Sequence, residues 1–357
     1  MPSTDKITFL LNWNATPYHA PIFLAQLKGY YADEGIKVAI LEPNDPSDVT
    51  EIIGSGAVNM GAKAMVHTIA GKAMGFPITS LGTLMDEPVT GVCYLQGGLD
   101  GKSGNAVNSD FASLRGKRIG YVGHFGKIQI DELFQWHKLL KDDGTPDYFP
   151  VRCGMQIADS ILNGSIDAGI GLENVQTVEL EEWCKSNGRS VEDVKMLRID
   201  ELAQLGCCCF CSILIIGNDD FISQNKEKVA AFMRAVKKGS DYLQSNPVEA
   251  WNEYKAFKKP MRTALNDKIF ERSVNYMSKD LVNVERDWNK VTGYCKRLGL
   301  VDSNFKPNYT NEFLTWEHEA QPSDPVANQK VIADKQDVVR NGGGVLASAP
   351  QPIAVAA

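Results

Sequence analysis

The chain has 357 residues, 43 % of them hydrophobic, and a formal net charge of −7. That length holds two lobes of ordinary domain size, and the composition is that of a soluble globular protein. The acidic balance, with no basic block, argues against nucleic acid as the main partner, and no apolar run reaches membrane-spanning length.

The amino terminus leads straight into a strand-like run. It lacks the charged start, apolar centre and small-residue cleavage site of a secretory signal. Eight cysteines without such a signal imply reduced thiols, in the cytoplasm or also the nucleus. Ile7–Leu11 is a short apolar strand. Pro21–Tyr31 has helical spacing and ends before Gly35. Val38–Leu41 is a second strand. Asp48–Ile53 is a helix stopped by Gly54 and Gly56, and Val58–Ala62 is a third strand. Met65–Met74 predicts a further helix, closed by Gly75 and Pro77. This alternation predicts an α/β protein with a mainly parallel sheet covered by helices.

Gly97–Ser109 is rich in Gly, Ser and Asn and reads as an exposed loop. Arg115–Gly123 predicts a strand and Lys127–Leu140 a helix. An echo of the first third follows: Ile161–Gly169 resembles Ile52–Gly61. Each reads as a helix end, a glycine stop, then a strand opening with Asn or Asp. The echo predicts two similar lobes with a ligand cleft between them. Residues 1–94 plus 213–320 form the first lobe and 95–212 the second, with crossovers near Tyr94 and Ile213. Helices follow from Gln224 to about Leu243 and from Pro247 to Phe257. Beyond Gln321 the chain turns polar, and 321–357 predicts a flexible tail or one draped over a neighbour.

Four patterns carry chemistry. Asn12-Trp13 ends the first strand, where the indole can stack on a flat ring or simply fill the core. Lys63 and His67 stand four apart where a strand passes into a helix, so both can face one cleft. A lysine desolvated there can condense with an aldehyde, and an imidazole beside it can serve as acid, base, ligand or reactant. A surface lysine and a capping histidine fit the same spacing.

Gly120-Tyr-Val-Gly123-His124-Phe125-Gly126-Lys127 follows a strand and opens a helix, a suitable phosphate seat or an ordinary turn. It is neither a Walker A loop nor a G-x-G-x-x-G turn. Glu173, after the Asp167–Gly171 strand, can meet a polar ring substituent or solvent. Last comes Cys207-Cys208-Cys209-Phe210-Cys211, which reads as part of a buried strand. Alternation puts Cys207, Cys209 and Cys211 on one face and Cys208 on the other, about 6.6 Å between alternate residues. Thiolate–metal bonds are about 2.3 Å, so this run alone does not close a four-cysteine site, and its spacing fits no zinc ribbon. It offers soft ligands, a redox handle or plain packing.

Together, Asn12-Trp13, Lys63-x-x-x-His67, Gly123-x-Phe-Gly126-Lys127 and the cysteine run resemble the fungal 4-amino-5-hydroxymethyl-2-methylpyrimidine phosphate (HMP-P) synthases of thiamine biosynthesis. The resemblance runs from about residue 3 to residue 316. It implies a two-lobed, periplasmic-binding-protein-like (type II) fold and a homodimer. It further implies pyridoxal 5'-phosphate as substrate, held as a Schiff base on Lys63 with its phosphate on Gly123–Gly126. His67 is then the histidine donor, consumed in a single turnover, and iron is required, with Cys207, Cys208, Cys209 and Cys211 as its site. His124 stands where the family commonly has Glu. A pyrimidine- or pyridoxal-phosphate-binding protein without chemistry, and a conventional multiple-turnover enzyme, are the alternatives.

Overall fold

In the computed structural model, residues 6–86, 88–199, 211–319 and 334–347 are described. The first lobe begins with β1 (Lys6–Leu10), α1 (Ala20–Leu27), α2 (Tyr30–Asp33), β2 (Lys37–Leu41), α3 (Val49–Gly54), β3 (Met60–Ala64), α4 (Met65–Ala73) and β4 (Ile78–Met85). The second lobe holds β5 (Thr90–Leu95), β6 (Arg118–Tyr121), α5 (His124–Trp136), β7 (Phe149–Arg152), α6 (Ile157–Leu162), β8 (Ala168–Leu172), α7 (Val178–Ser186) and β9 (Val194–Arg198). The chain then returns through β10 (Ile213–Asn218) to α8 (Asp219–Gln224), α9 (Lys226–Ser245), α10 (Pro247–Phe257), α11 (Ala264–Val274) and α12 (Glu285–Arg297).

Two five-stranded sheets result, ordered β2-β1-β3-β10-β4 and β7-β6-β8-β5-β9. The orders match position by position, so the two lobes are topological copies. β10 is antiparallel to both its neighbours, and so is β5. Each is the strand that has just crossed from the other lobe, and it enters its sheet from the opposite end. Each sheet is mainly parallel, as the alternation predicts, with that one strand reversed. β5 also moves the first crossover to the segment between Met85 and Thr90, ahead of Tyr94.

The sequence echo occupies equivalent places. The Asn59 side chain accepts the Thr8 backbone N–H at 2.9 Å, and Asp167 accepts that of Arg118 at 2.8 Å. Both satisfy the neighbouring parallel strand just before the ladder begins. Two residues on, a Cβ at Gly61 would lie 2.6 Å from Ile53 Cδ1, and one at Gly169 would lie 2.7 Å from Ile157 Cγ2. The glycines let α3 and α6 press against their strands.

Burial follows from these layers. Phe9, Ile215, Phe232 and Trp251 form a core on one side of the first sheet. A second core runs from Leu10, Met65 and Ile216 into Ile119, Leu133 and Ile170 of the other lobe. β10, with apolar side chains on both faces, is a central strand for that reason.

Three local expectations change. The helix expected from Lys127 begins at His124, with Gly123 as its N-cap. Cys211 lies in a turn ahead of β10, not in the strand, while Cys207, Cys208 and Cys209 fall outside the described residues. The tail expectation fails for 334–347. Residues 334–340 are helical, and Gln336 is buried, donating to the Arg272 carbonyl at 3.0 Å and accepting from Asn275 at 3.1 Å.

Candidate active site

The two sheets point the ends of β1, β3, β6, β7 and β8 at a common cavity of about 280 Å³. This is where open α/β sheets leave room for ligands. Asn12, Trp13, Lys63, His67, Gly123, Phe125, Gly126 and Cys211 all line it. Residues far apart in sequence thus meet because equivalent strands of both lobes end there.

Lys63 is the next-to-last residue of β3, opposite Leu214 of β10, and only 5 % exposed. Its Nζ donates to the Pro46 carbonyl at 2.5 Å. Burial pushes the ammonium down to about 8, although Asp45 and Asp48 pull the other way. A lysine in that state is about one-tenth neutral at pH 7, against less than about one-thousandth for an ordinary lysine.

His67 lies in the first turn of α4, its ring edge-on to Phe125 across the cleft, with centroids 4.6 Å apart at 84°. Burial first, then the charges of Lys63 and His124, hold its pKa well below the ordinary histidine value. The imidazole is therefore neutral.

A buried scaffold holds Asn12. The Thr16 backbone N–H donates to His19 Nδ1 at 3.1 Å, so His19 Nε2 carries the proton and donates to Asn12 Oδ1 at 2.8 Å. The Asn12 amide then donates to the Tyr18 hydroxyl at 3.0 Å. Burial, with Lys258 nearby, pushes His19 down to about 3, so it stays neutral and fixed.

On the other wall, α5 begins with no side-chain cap. Its first-turn N–H groups have no intrahelical acceptor, and Gly123, Phe125 and Gly126 of that turn face the cavity. A Cβ at Gly123 would meet nothing within 4 Å, so the backbone there borders open space. His124 does not line the cavity.

Glu173 is a correction. It opens a π-helical turn, Glu173–Thr177, and turns away from the cavity into a buried cluster. Arg272 pairs with its carboxylate, Tyr276 donates to it at 3.1 Å, and Arg340 lies at 3.3 Å. Nothing in the local sequence marks this, because the partners come from α11, the turn just after it and the carboxyl-terminal segment.

Arg152, Gln176, Asp45 and Ser47 line the cavity without having been singled out by sequence. Arg152 ends β7 in register with Tyr121 of β6, beside the start of α5. Among the described residues its guanidinium makes one marginal contact, at 3.5 Å to Ser47 of the other lobe, and acts on the Asp45 carboxylate at longer range. The Asp45-Pro46-Ser47 capping turn is the one readable signal among these residues. Among the described residues, no group of three or more His, Cys, Asp or Glu is placed to hold a metal. Burial pushes the Cys211 thiol up to about 11, with Thr90 opposing.

Residues 16–250 match the NMT1/THI5-like family model. The chain belongs to that family. Among NMT1/THI5-like relatives, the 4-amino-5-hydroxymethyl-2-methylpyrimidine phosphate synthase of Uromyces fabae is 60 % identical over 96 % of this chain and 98 % of that protein. The synthase of Aspergillus parasiticus is 58 % identical over 96 % and 97 %. Among solved structures, a Candida albicans protein with the generic periplasmic binding protein fold superposes with a TM-score of 0.61 at 16 % identity, over 89 % of this chain and 99 % of that one. The alkanesulfonate-binding protein SsuA of Xanthomonas axonopodis gives 0.59 at 12 %, over 84 % and 95 %. These neighbours establish the fold as periplasmic-binding-protein-like, as the sequence resemblance implies.

Proposed function

We propose that this protein makes HMP-P, the thiamine pyrimidine precursor, from pyridoxal 5'-phosphate and its own His67, with iron, once per chain. The observation that carries the reading is a buried lysine and a neutral histidine on one cavity wall, facing an uncapped helix start. The names of relatives at 54–60 % identity support the same activity.

The residues suit the chemistry of that substrate. An aldehyde needs an unprotonated amine, and Lys63 supplies one near neutral pH because burial favours its uncharged form. A phosphate needs donors that keep their place, and the first turn of α5 offers backbone N–H groups with the helix dipole behind them. Trp13 offers a flat wall for the ring. His67 stays neutral, with its ring held edge-on by Phe125. Iron, when bound, would supply the oxidising chemistry. The cysteine run would offer it thiolates, with Cys211 as the member described at the cavity. A homodimer belongs to the same proposal, and light scattering reads it directly.

Incubation with pyridoxal phosphate, iron and oxygen tests the reading. It expects at most one HMP-P per chain, a lighter protein, and the loss confined to the peptide holding His67. Heavy-nitrogen histidine should pass label into the pyrimidine. Many turnovers with an intact His67 would overturn it in favour of a conventional enzyme. Bound ligand without product would leave a binding protein.

A further inference from the structure

Glu173 turns away from the cavity, but the same π-helical turn presents Gln176 to it. Such turns re-aim side chains and occur often at functional sites. Gln176 is 2 % exposed. Its two amide ends have different fates. Oε1 accepts the Leu172 backbone N–H at 2.8 Å. Because that partner is a donor, the end facing it must be the oxygen, and the amide orientation is settled. Nε2 is then the other end, buried and without a hydrogen-bond partner among the described residues. A buried donor left unmade costs about 1–3 kcal/mol, so such groups are rarely retained without cause.

The strand beneath makes room for it. A Cβ at Gly171 would lie 2.9 Å from Gln176 Cβ and 3.1 Å from its Oε1. Gly171 therefore lets the glutamine lie flat over the end of β8, where Gly171 and Leu172 also line the cavity. The backbone accommodates this side chain, and the amide NH2 beside the cavity is left unpaired among the described residues.

We infer that Gln176 is a ring-binding residue: its Nε2–H donates to an acceptor atom of the bound aromatic ring, the ring nitrogen or the phenolic oxygen of a pyridoxal. This rests on the pyridoxal phosphate reading above and deepens it. Gln176 takes the place that sequence spacing had offered to Glu173, with an uncharged donor in place of a carboxylate. A site built this way discriminates strongly against rings lacking the acceptor, because the buried donor then stays unpaired.

The test compares three ligands on the full chain: pyridoxal phosphate, its analogue lacking the phenolic oxygen, and its analogue with carbon in place of the ring nitrogen. Binding is read by absorbance titration, and folding of each variant by its thermal midpoint. Gln176→Met should weaken pyridoxal phosphate about 10- to 100-fold, the range of one lost hydrogen bond in a buried site. One analogue should bind the wild-type chain weakly and lose nothing further in Gln176→Met; it names the accepting atom. Gly171→Ala displaces Gln176 without removing it and should reproduce that ligand pattern. Equal pyridoxal phosphate affinity in wild type and Gln176→Met, or equal losses for all three ligands, would overturn the inference while leaving the pyridoxal phosphate reading intact. If the wild-type chain binds none of the three, both fall.

Discussion

Lys63 and Arg272 are both buried cations, and their surroundings differ. The Arg272 side chain, 3 % exposed, meets Glu173, and its Nη2 lies 2.6 Å and 2.9 Å from the two Glu181 oxygens. Arg340 adds a second positive arm, 3.3 Å from Glu173 and 3.7 Å from Glu181. Lys63 has a carbonyl and two carboxylates that act only at a distance. The first site compensates its charge and ties the second lobe to α11 and the carboxyl-terminal segment. The second withholds compensation, so its amine gives up the proton readily. Paired burial makes a joint, and unpaired burial makes a reactive group.

The largest effect should come from breaking the joint. Glu173→Ala leaves Arg272 short of a counterion and should lower unfolding free energy by about 3–5 kcal/mol in urea titrations. A loss below about 1 kcal/mol would mean that the cluster is no more than a surface pair. Lys63→Met should go the other way, leaving stability unchanged or raised while abolishing borohydride-fixed attachment of pyridoxal phosphate. If that variant unfolds easily, Lys63 is a structural cation and the contrast fails.

The pH dependence sharpens the same point. Lys63 sits at about 8 in the folded chain against an ordinary 10.5. Between those values the unfolded chain binds the extra proton, so this group makes stability rise with pH across that window. Below about 8 both states are protonated and the group contributes a constant penalty. Attachment of pyridoxal phosphate should accelerate up to about pH 8 and then level off. A rate still climbing toward pH 10.5, the ordinary lysine value, would show an unperturbed amine.

Arg152 offers a smaller effect. Arg152→Met should weaken pyridoxal phosphate by about 10-fold and leave pyridoxal, which lacks the phosphate, unaffected. Equal changes for both ligands would move the anion seat elsewhere. Smallest of all, His124→Glu should change affinity by no more than about 3-fold, because the backbone donors of the α5 first turn do not depend on that side chain. A large loss there would show that the histidine itself contacts the phosphate.

Much of the framework was readable from the chain. Apolar runs bounded by glycine and proline located β1, β2, β3 and α4, and proline followed by helical spacing placed α10 at Pro247–Phe257. These features depend on neighbours within a few residues, where periodicity and turn chemistry act. Lys63 and His67 share a cavity for a similar reason, since a strand passing into a helix turns both to one side. Strand direction was a different matter. β5 and β10 run against their sheets because each arrives from the other lobe, a property of the whole path and not of any window. Glu173 and Gln176 show the limit most sharply. They are three positions apart on one turn, yet one faces the ion cluster and the other the cavity. The choice is made by Arg272, 99 positions away in sequence from Glu173, and by the space that Gly171 leaves open. Short-range preferences write the elements into the sequence, but where a side chain on a turn points depends on what distant segments pack behind it.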